Sequence, residues 1–403
     1  MSYPEGPHAG RPRLKLTPVE RRASVMLAML FASRMLGLFL LTPIFAVAAL
    51  SLPGGDNPAR VGLALGAYGL TQAILQIPLG MASDRFGRRP VIVAGMLLFI
   101  AGGVMCALAP NINWVIAGRV IQGLGAISAA ITAWVADATR PEVRTRAMAM
   151  VGGSIGLSFA VSLVLSPLLV GEFGLSGLFW AISLLGFVCL LIAAFLVPGV
   201  PRAESPIVQA RPRDVLTHVD LLRLNFGVFC LHFILMSIFV VAPGLLARLG
   251  GYDSTHLWEV YLPVILLSFV LMVPAVFYTE TRHAHKVALE IAVAGLVAVL
   301  ALLPLASHGF VATVFMFVGF FVAFNILEAL QPSLVSRVAP PEYKGLALGF
   351  YNTAQSLGVF AGGVVGGLLV SHGESRVFLA GAAVAFVWFL TARGFRQDRN
   401  GMA

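Results

Sequence analysis

The sequence is short of charge and of cysteine, and it lacks the motifs of two large enzyme classes. Only 11% of its 403 residues are charged, whereas 59% are hydrophobic. Soluble domains carry about 25% charged residues, and a soluble chain this poor in charge would expose apolar patches that aggregate. Neither a Walker A sequence nor a zinc-binding HExxH sequence occurs. The composition excludes an ordinary soluble enzyme and predicts a chain built for lipid.

The three cysteines, Cys106, Cys189 and Cys230, lie in separate apolar runs. They have neither the spacing of metal ligands nor the density of a disulfide framework. We therefore expect small buried side chains, no metal and no cofactor.

Apolar runs long enough to cross a bilayer recur from end to end. A membrane helix needs roughly 20 apolar residues, and stretches such as 91–108 carry no charge at all. The pattern predicts an all-α membrane protein with twelve transmembrane helices, at 24–50, 60–82, 91–109, 113–137, 146–170, 176–197, 223–247, 257–279, 286–305, 309–335, 344–370 and 376–393.

The basic residues indicate the orientation. With both termini cytoplasmic, 22 of the 27 Lys and Arg fall in cytoplasmic segments, and the external loops hold only Arg60, Arg248 and Arg376. Cytoplasmic loops of membrane proteins carry this excess. The positive charge is thus explained by anionic lipid, and we expect no nucleic-acid partner.

The chain repeats itself at an offset of 200 residues, since 141–148 resembles 341–348. A polar, proline-rich stretch separates the halves. Two pseudo-symmetric six-helix bundles of this kind are typical of transporters that rock one half against the other. The predicted parts are a cytoplasmic tail (1–22), a first bundle (23–198), an inter-bundle loop (199–222), a second bundle (223–394) and a second tail (395–403).

The loop between the second and third predicted helices is rich in glycine and arginine. An acid among arginines can accept paired hydrogen bonds, and glycine permits a tight turn. Its marked residues are Gly80, Asp84, Arg85, Gly87, Arg88 and Arg89.

This loop resembles motif A of the major facilitator superfamily, G-x-x-x-D-R-x-G-R-R. Arg119–Gly123 is similar to motif B of the same superfamily, and Arg34–Phe39 with Pro43 is similar to the first-helix motif of its proton-driven drug exporters. The stretches 221–227 with His232, and 321–325 with Glu328, resemble the bacterial YajR-type transporters, without the extra cytosolic domain that follows their last helix.

The resemblance implies a cytoplasmic gate. Asp84 is expected to cap the eleventh helix near Lys344, and Arg88 to link Asp84 to Asp137. One departure counts against antiport. The fifth-helix motif of antiporters is G-x-x-x-G-P-x-x-G-G. Gly152 and Gly156 match its first two glycines, but Leu157 stands at its proline, and Ala160 and Val161 stand at its last two glycines.

Ionisable groups inside the predicted helices are candidates for proton coupling, because such groups are costly in a membrane. Glu328 precedes Arg337 by nine residues and His232 follows Arg223 by nine, so each lies about 13 Å from a cytoplasmic arginine and the two share one depth. Static roles in holding helices together stay open for both. Arg119, by its motif, and Arg34 complete the proton-coupling set, with structural pairing to carbonyls as the alternative.

Polar and apolar faces of the helices outline a substrate cavity. The alternative for each polar member is a hydrogen bond between helices. The candidates are Phe39, Tyr68, Gln72, Gln122, Met236, Phe324, Asn325, Tyr351 and Gln355.

Three functions fit these features. The first is proton-coupled efflux of small lipophilic or amphipathic compounds by a monomer in the bacterial inner membrane. The second is a metabolite or sugar facilitator, or a proton symporter. The third, which the intact gate motif disfavours, is a membrane sensor that no longer transports.

Overall fold

The computed structural model describes residues 16–125, 127–198, 212–340 and 343–395, without the side chains of 141–142, 144–146, 149, 152–153 and 254. Within these residues all regular structure is helical. The long helices are α1 (Pro18–Phe39), α2 (Pro58–Phe86), α3 (Arg88–Ala107), α4 (Ile112–Leu124), α5 (Ser128–Asp137), α6 (Pro141–Leu191), α7 (Val219–Gly250), α8 (Trp258–Thr281), α9 (His285–Ala306), α10 (Phe310–Val338), α11 (Lys344–Val370) and α12 (Glu374–Arg393). Short helices lie at Phe45–Ala48, Ala49–Ser51, Ile192–Leu196, Pro212–Leu216 and Ser254–His256.

Eleven stretches of the described chain are long and apolar enough to span a membrane. Helices α4 and α5 together form one of them, whereas the fifth and sixth predicted helices lie in a single stretch, Ser154–Leu196. This stretch has 43 residues, about twice the length that one crossing needs. Gly174 interrupts it with a left-handed φ of 66°, a conformation that glycine adopts readily. Twelve crossings stay a prediction.

Helix α1 begins six residues before its predicted start, at Pro18 rather than 24, because local hydrogen bonds fix its N-terminus. Thr17 and Glu20 form a capping box, in which each side chain accepts from the other's backbone N–H. The Glu20 carboxylate also accepts from Arg140 Nε at 2.8 Å, which ties α1 to the turn before α6. The helix ends at Phe39, well before the predicted 50, and a turn follows.

The predicted tails and inter-bundle loop fall largely outside the described residues, which omit 1–15, 199–211 and 396–403. The described part of the loop is partly helical, and α7 begins at Val219 rather than 223.

Helices α1–α6 pack mostly among themselves, as do α7–α12, except that α2 packs more extensively on α11 than on any helix of its own bundle. We call the end of the molecule that carries the 80–90 loop the motif end and the opposite end the far end. The bundles meet closely in the far half, where α2 lies against α11. A Cβ added to Gly62 would overlap the Gly363 carbonyl oxygen, and one added to Gly66 or Gly69 would strike the α11 backbone.

Candidate functional site

The second bundle brings the two predicted proton carriers together. His232 on α7 is buried, and its Nε2 lies 3.7 Å from Glu328 Oε2 on α10. His232 Nδ1 lies 3.1 Å from the Val228 carbonyl oxygen, one turn earlier. A carbonyl oxygen only accepts, so this contact assigns the proton to Nδ1.

Gln355 on α11 is the nearer partner of the same imidazole nitrogen. Its Nε2 lies 2.7 Å from His232 Nε2 and donates to it when the ring is neutral. Glu328 Oε2 and the Tyr351 hydroxyl are buried and have no hydrogen-bond partner among the described residues. His232 Nε2 therefore faces two side chains, an amide that suits its neutral form and a carboxylate that suits its charged form.

The first bundle holds the two arginines predicted inside helices. Arg34 on α1 is 1% exposed and donates from Nη1 to Ser128 Oγ and from Nη2 to the Tyr68 hydroxyl, both at 2.5 Å. Arg119 on α4 is 2% exposed. Its Nη1 donates to Gln122 Oε1 at 3.0 Å, and its guanidinium lies 4.8 Å from the centre of the Tyr68 ring. Tyr68 thus joins both guanidinium groups through its hydroxyl and its ring.

A cluster of phenylalanines lies between the bundles. Phe159 on α6 is its centre, with Phe39 at 5.2 Å between ring centroids on one side and rings of the second bundle at about 6 Å on the other. We call the set of Phe39, Phe159, Phe239, Phe321 and Phe324 the phenylalanine cluster. Phe324 also meets the His232 ring edge-on at 6.1 Å, so the cluster borders the candidate proton site.

The remaining predicted cavity residues are buried, but their roles as substrate contacts stay predictions. Asn325 donates from Nδ2 to Ser268 Oγ at 3.0 Å, which links α10 to α8. Gln72 and Met236 are 7% and 5% exposed.

The motif loop centres on Arg88. Its Nε donates to Asp137 Oδ2 at 2.8 Å, its Nη1 donates to Ser83 Oγ at 2.7 Å, and Nη1 also pairs with Asp84. One guanidinium therefore connects α2, α3 and α5 in the arrangement that the motif implies.

The other motif residues fix the turn. Gly87 has a φ of 95° and separates α2 from α3. Arg89 Nη2 donates to the Val197 carbonyl oxygen at 2.6 Å, and its guanidinium lies 5.7 Å from the Trp134 ring. Arg85 lies over Phe86 at 5.5 Å, and a Cβ on Gly80 would meet Ala129 at contact distance.

The proposed capping of the eleventh helix stays a prediction. Helix α11 begins at Lys344 as expected, but residues 341–342 before it lie outside the described residues.

Sequence reasoning missed three residues of this interior. Ser128 is the hydroxyl that accepts from Arg34, and Phe159 is the centre of the phenylalanine cluster. Gln331 on α10 is fully buried with neither side-chain atom paired among the described residues, one turn beyond Glu328. Its spacing of three from Glu328 was a usable signal, whereas nothing distinguishes Phe159 among 28 phenylalanines.

The chain belongs to the Major Facilitator Superfamily, whose family model matches residues 27–363. It is a multi-pass membrane transporter and not an enzyme.

Two individual relatives and one solved structure are similar to the chain over most of its length. The chain is 42% identical over 388 residues to the inner membrane transport protein YajR of Escherichia coli, covering 95% of this chain and 85% of that one. It is 28% identical over 354 residues to the multidrug resistance protein MdtH of Aeromonas salmonicida, covering 85% and 86%. The crystal structure of a D-xylose-proton symporter matches with a TM-score of 0.74 at 14% identity, over 94% of this chain and 98% of that one. The last match shows the fold alone.

Proposed function

We propose that the chain is a proton-coupled exporter of small lipophilic or amphipathic compounds, which works by alternating access as a monomer in the inner membrane. It crosses the membrane twelve times with both termini in the cytoplasm, which makes the motif end cytoplasmic. The relatives YajR and MdtH, one an inner membrane transport protein and the other a multidrug resistance protein, support this proposal.

The observation that carries it is the contact of Glu328 with His232. Glu328 is the single carboxyl group among the described residues that lies more than two turns from a helix end or from the break at Gly174. A carboxyl group and an imidazole in contact at membrane depth are a pair suited to taking up and releasing protons.

A proton on His232 changes which helix the ring bonds. The neutral ring accepts from Gln355 on α11. The charged ring has a proton on Nε2 and must donate it, so Glu328 on α10, 3.7 Å away, becomes the favoured acceptor. Loading a proton thus transfers one hydrogen bond from α11 to α10, and α11 is the helix of the second bundle that packs most extensively against the first.

The described conformation supplies one of the two states that alternating access needs. Close backbone contact of α2 with α11 shuts the far end, and Tyr261 on α8 reinforces it by donating to the Pro43 carbonyl oxygen at 3.1 Å. We assign this state as inward-facing, and we assign the Asp84 cap on α11 to the outward-facing state. A carboxylate at a helix N-terminus contributes about 0.3–2 kcal/mol, enough to bias states that differ by a few kcal/mol.

The experiment is proton movement in proteoliposomes under an imposed pH gradient, with lipophilic cations, organic acids and sugars added in turn. Glu328→Gln tests the proton site. Glu290→Gln is the matched control, because it removes the same charge from a residue that pairs with Lys286 near the start of α9. A compound that collapses the gradient with the native protein and the control, but not with Glu328→Gln, supports the proposal.

The direction of proton flow separates efflux from its alternative. The incomplete fifth-helix motif, in which Leu157 and Ala160 replace proline and glycine, favours symport or facilitation. Proton and compound moving the same way would establish symport. Equilibration without proton movement would establish a facilitator, and no movement of any compound would point to a sensor.

A further inference from the structure

The interior of the first bundle has a fixed excess of positive charge. Arg34 and Arg119 are buried, and a guanidinium stays protonated even there. The acidic residues of this half lie in the N-terminal tail, in a loop, at helix ends or beside the Gly174 break. They are Glu5, Glu20, Asp56, Asp84, Asp137, Glu142 and Glu172. Among the residues of this half that the structure describes, no carboxylate therefore lies near the middle of the bundle, and an uncompensated buried charge costs several kcal/mol.

The partners of these guanidinium groups are all neutral. They are the hydroxyls of Ser128 and Tyr68, the Gln122 amide oxygen and the Ala64 carbonyl oxygen. Among the described residues no acid forms an ion pair with either arginine, in contrast to Arg88 and Arg140 near the motif end.

Hydrogen-bond donors outnumber acceptors at the same place. Arg34 Nε and Gln122 Nε2 are buried and have no acceptor among the described residues. The hydroxyls of Tyr68 and Ser128 accept from Arg34, and each still carries a proton to donate. A donor-rich, positively charged interior suits a group that only accepts and carries negative charge, such as a carboxylate.

An apolar surface lies further along the helix that carries Arg34. Phe39 follows Arg34 by five residues on α1, which is about 7.5 Å along the helix axis, and its ring packs on Phe159 at 5.2 Å. A compound with one acidic group and an aromatic or aliphatic body matches both surfaces.

We propose that the compound carried by this protein is an organic anion, whose acidic group binds Arg34 and Arg119 and whose apolar body lies on the phenylalanine cluster. The proposal rests on the transport function above and names its substrate class. Tyr68 contacts both guanidinium groups, and it lies on the stretch of α2 whose Gly62, Gly66 and Gly69 touch the second bundle. Separation of that contact provides the route by which the anion reaches the arginines.

Equilibrium binding to the purified protein in nanodiscs tests the proposal without any gradient. Two probe series differ only in charge. One comprises 1-naphthoate, 1-naphthamide and 1-naphthylmethylammonium, and the other 4-phenylbutyrate, its amide and 4-phenylbutylammonium. We expect each carboxylate to bind at least about tenfold tighter than its amide and its ammonium analogue. Arg34→Gln and Arg119→Gln should each remove this preference.

Three further variants make the result decisive. Arg34→Lys and Arg119→Lys keep the charge and should keep most of the preference, which separates charge from misfolding. Arg376→Gln removes a positive charge from an exposed position at the start of α12 and should change nothing. Equal binding within both series, tighter binding of the ammonium compounds, or an undiminished preference in both glutamine variants would overturn the proposal.

The binding test and the proton measurement can each contradict one proposal without contradicting the other. Carboxylate binding without proton movement would contradict the proton-coupled function and leave the anion site standing. Proton movement driven by the ammonium compounds alone would contradict the anion site and leave the proton-coupled function standing.

Discussion

The first bundle buries Arg34 and Arg119, whose guanidinium groups stay charged, whereas in the second bundle the buried His232 lies 3.7 Å from the partly buried Glu328, the pair proposed above to exchange protons. The first pair is held by neutral partners and joined through Tyr68. The second pair competes for partners on two different helices. We infer from this difference that the two bundles have separate roles, in which the first binds the compound and the second couples transport to protons.

The largest expected effect separates these two roles. Glu328→Gln should abolish the dependence of transport on pH, because it removes the acceptor to which a charged His232 ring would donate, while Arg34 and Arg119 stay charged. Arg119→Gln should lower the transport rate at every pH and keep its pH dependence. Uptake assays in proteoliposomes between pH 5.5 and 8.5 measure both, and a pH-independent rate in the arginine variant would contradict these separate roles.

Tyr68→Phe tests the junction inside the first bundle. It removes the hydroxyl that accepts from Arg34 and keeps the ring beside Arg119, so we expect a loss of about 1.5–3 kcal/mol in the free energy of unfolding, as for a bond to a charged group. Tyr278→Phe, which alters an exposed tyrosine on α8, should stay within about 0.5 kcal/mol. Denaturant unfolding in detergent measures both, and equal effects would show that the hydroxyl is not a structural partner of Arg34.

Gly363→Ala tests the boundary between the bundles. The added methyl group overlaps backbone of α2 at Gly62 and Gly66, so the closed far end should lose about 1–3 kcal/mol of stability. Gly349→Ala is the control on the same helix, because nothing lies within 4 Å of its added Cβ. Spin-label distances between the far ends of α2 and α11 should lengthen only in the first variant. Unchanged distances would show that the glycine contact does not hold that end shut.

The smallest expected effect compares the acid–arginine pairs at the motif end. Asp137 pairs with Arg88, and their side chains are 33% and 19% exposed, whereas Glu280 and Arg337 are 48% and 49% exposed. Asp137→Asn should therefore cost about 1 kcal/mol and Glu280→Gln about 0.5 kcal/mol or less, because solvent screens exposed pairs. Thermal unfolding with and without 1 M salt checks this order, and a larger effect at Glu280 would reverse the comparison.

Depth in the membrane was readable from the sequence, because rise along a helix is proportional to residue number. The meeting of Glu328 with His232 follows from their equal spacing from basic residues, and the geometry of Arg88 follows from a motif contained in one loop. Helix count was less readable. Gly174 turns the chain without interrupting its apolar character, so two predicted helices share one continuous stretch.

The sequence did not show which neighbouring helix each side chain contacts, because that depends on how the helices are arranged around one another. Gln355 was expected to line a cavity, which stays a prediction, but its contact with His232 could not be foreseen from the sequence. The roles of Ser128 as a partner of Arg34 and of Phe159 as a partner of Phe39 follow only from the packing of α5 and α6 against their neighbours.

The contact of α2 with α11 is made by backbone atoms, glycine Cα atoms and apolar side chains such as Val359, and no atom nearest to Gly62 or Gly363 belongs to an ionisable side chain. Dispersion and shape hold such a contact, and neither responds to ionic strength or to the lipid headgroups outside. The barrier at the far end is therefore set by geometry and stays constant while conditions on that side of the membrane fluctuate. Ionic strength and lipid charge would act instead at the motif end, where arginines and acids hold α2, α3 and α5 together.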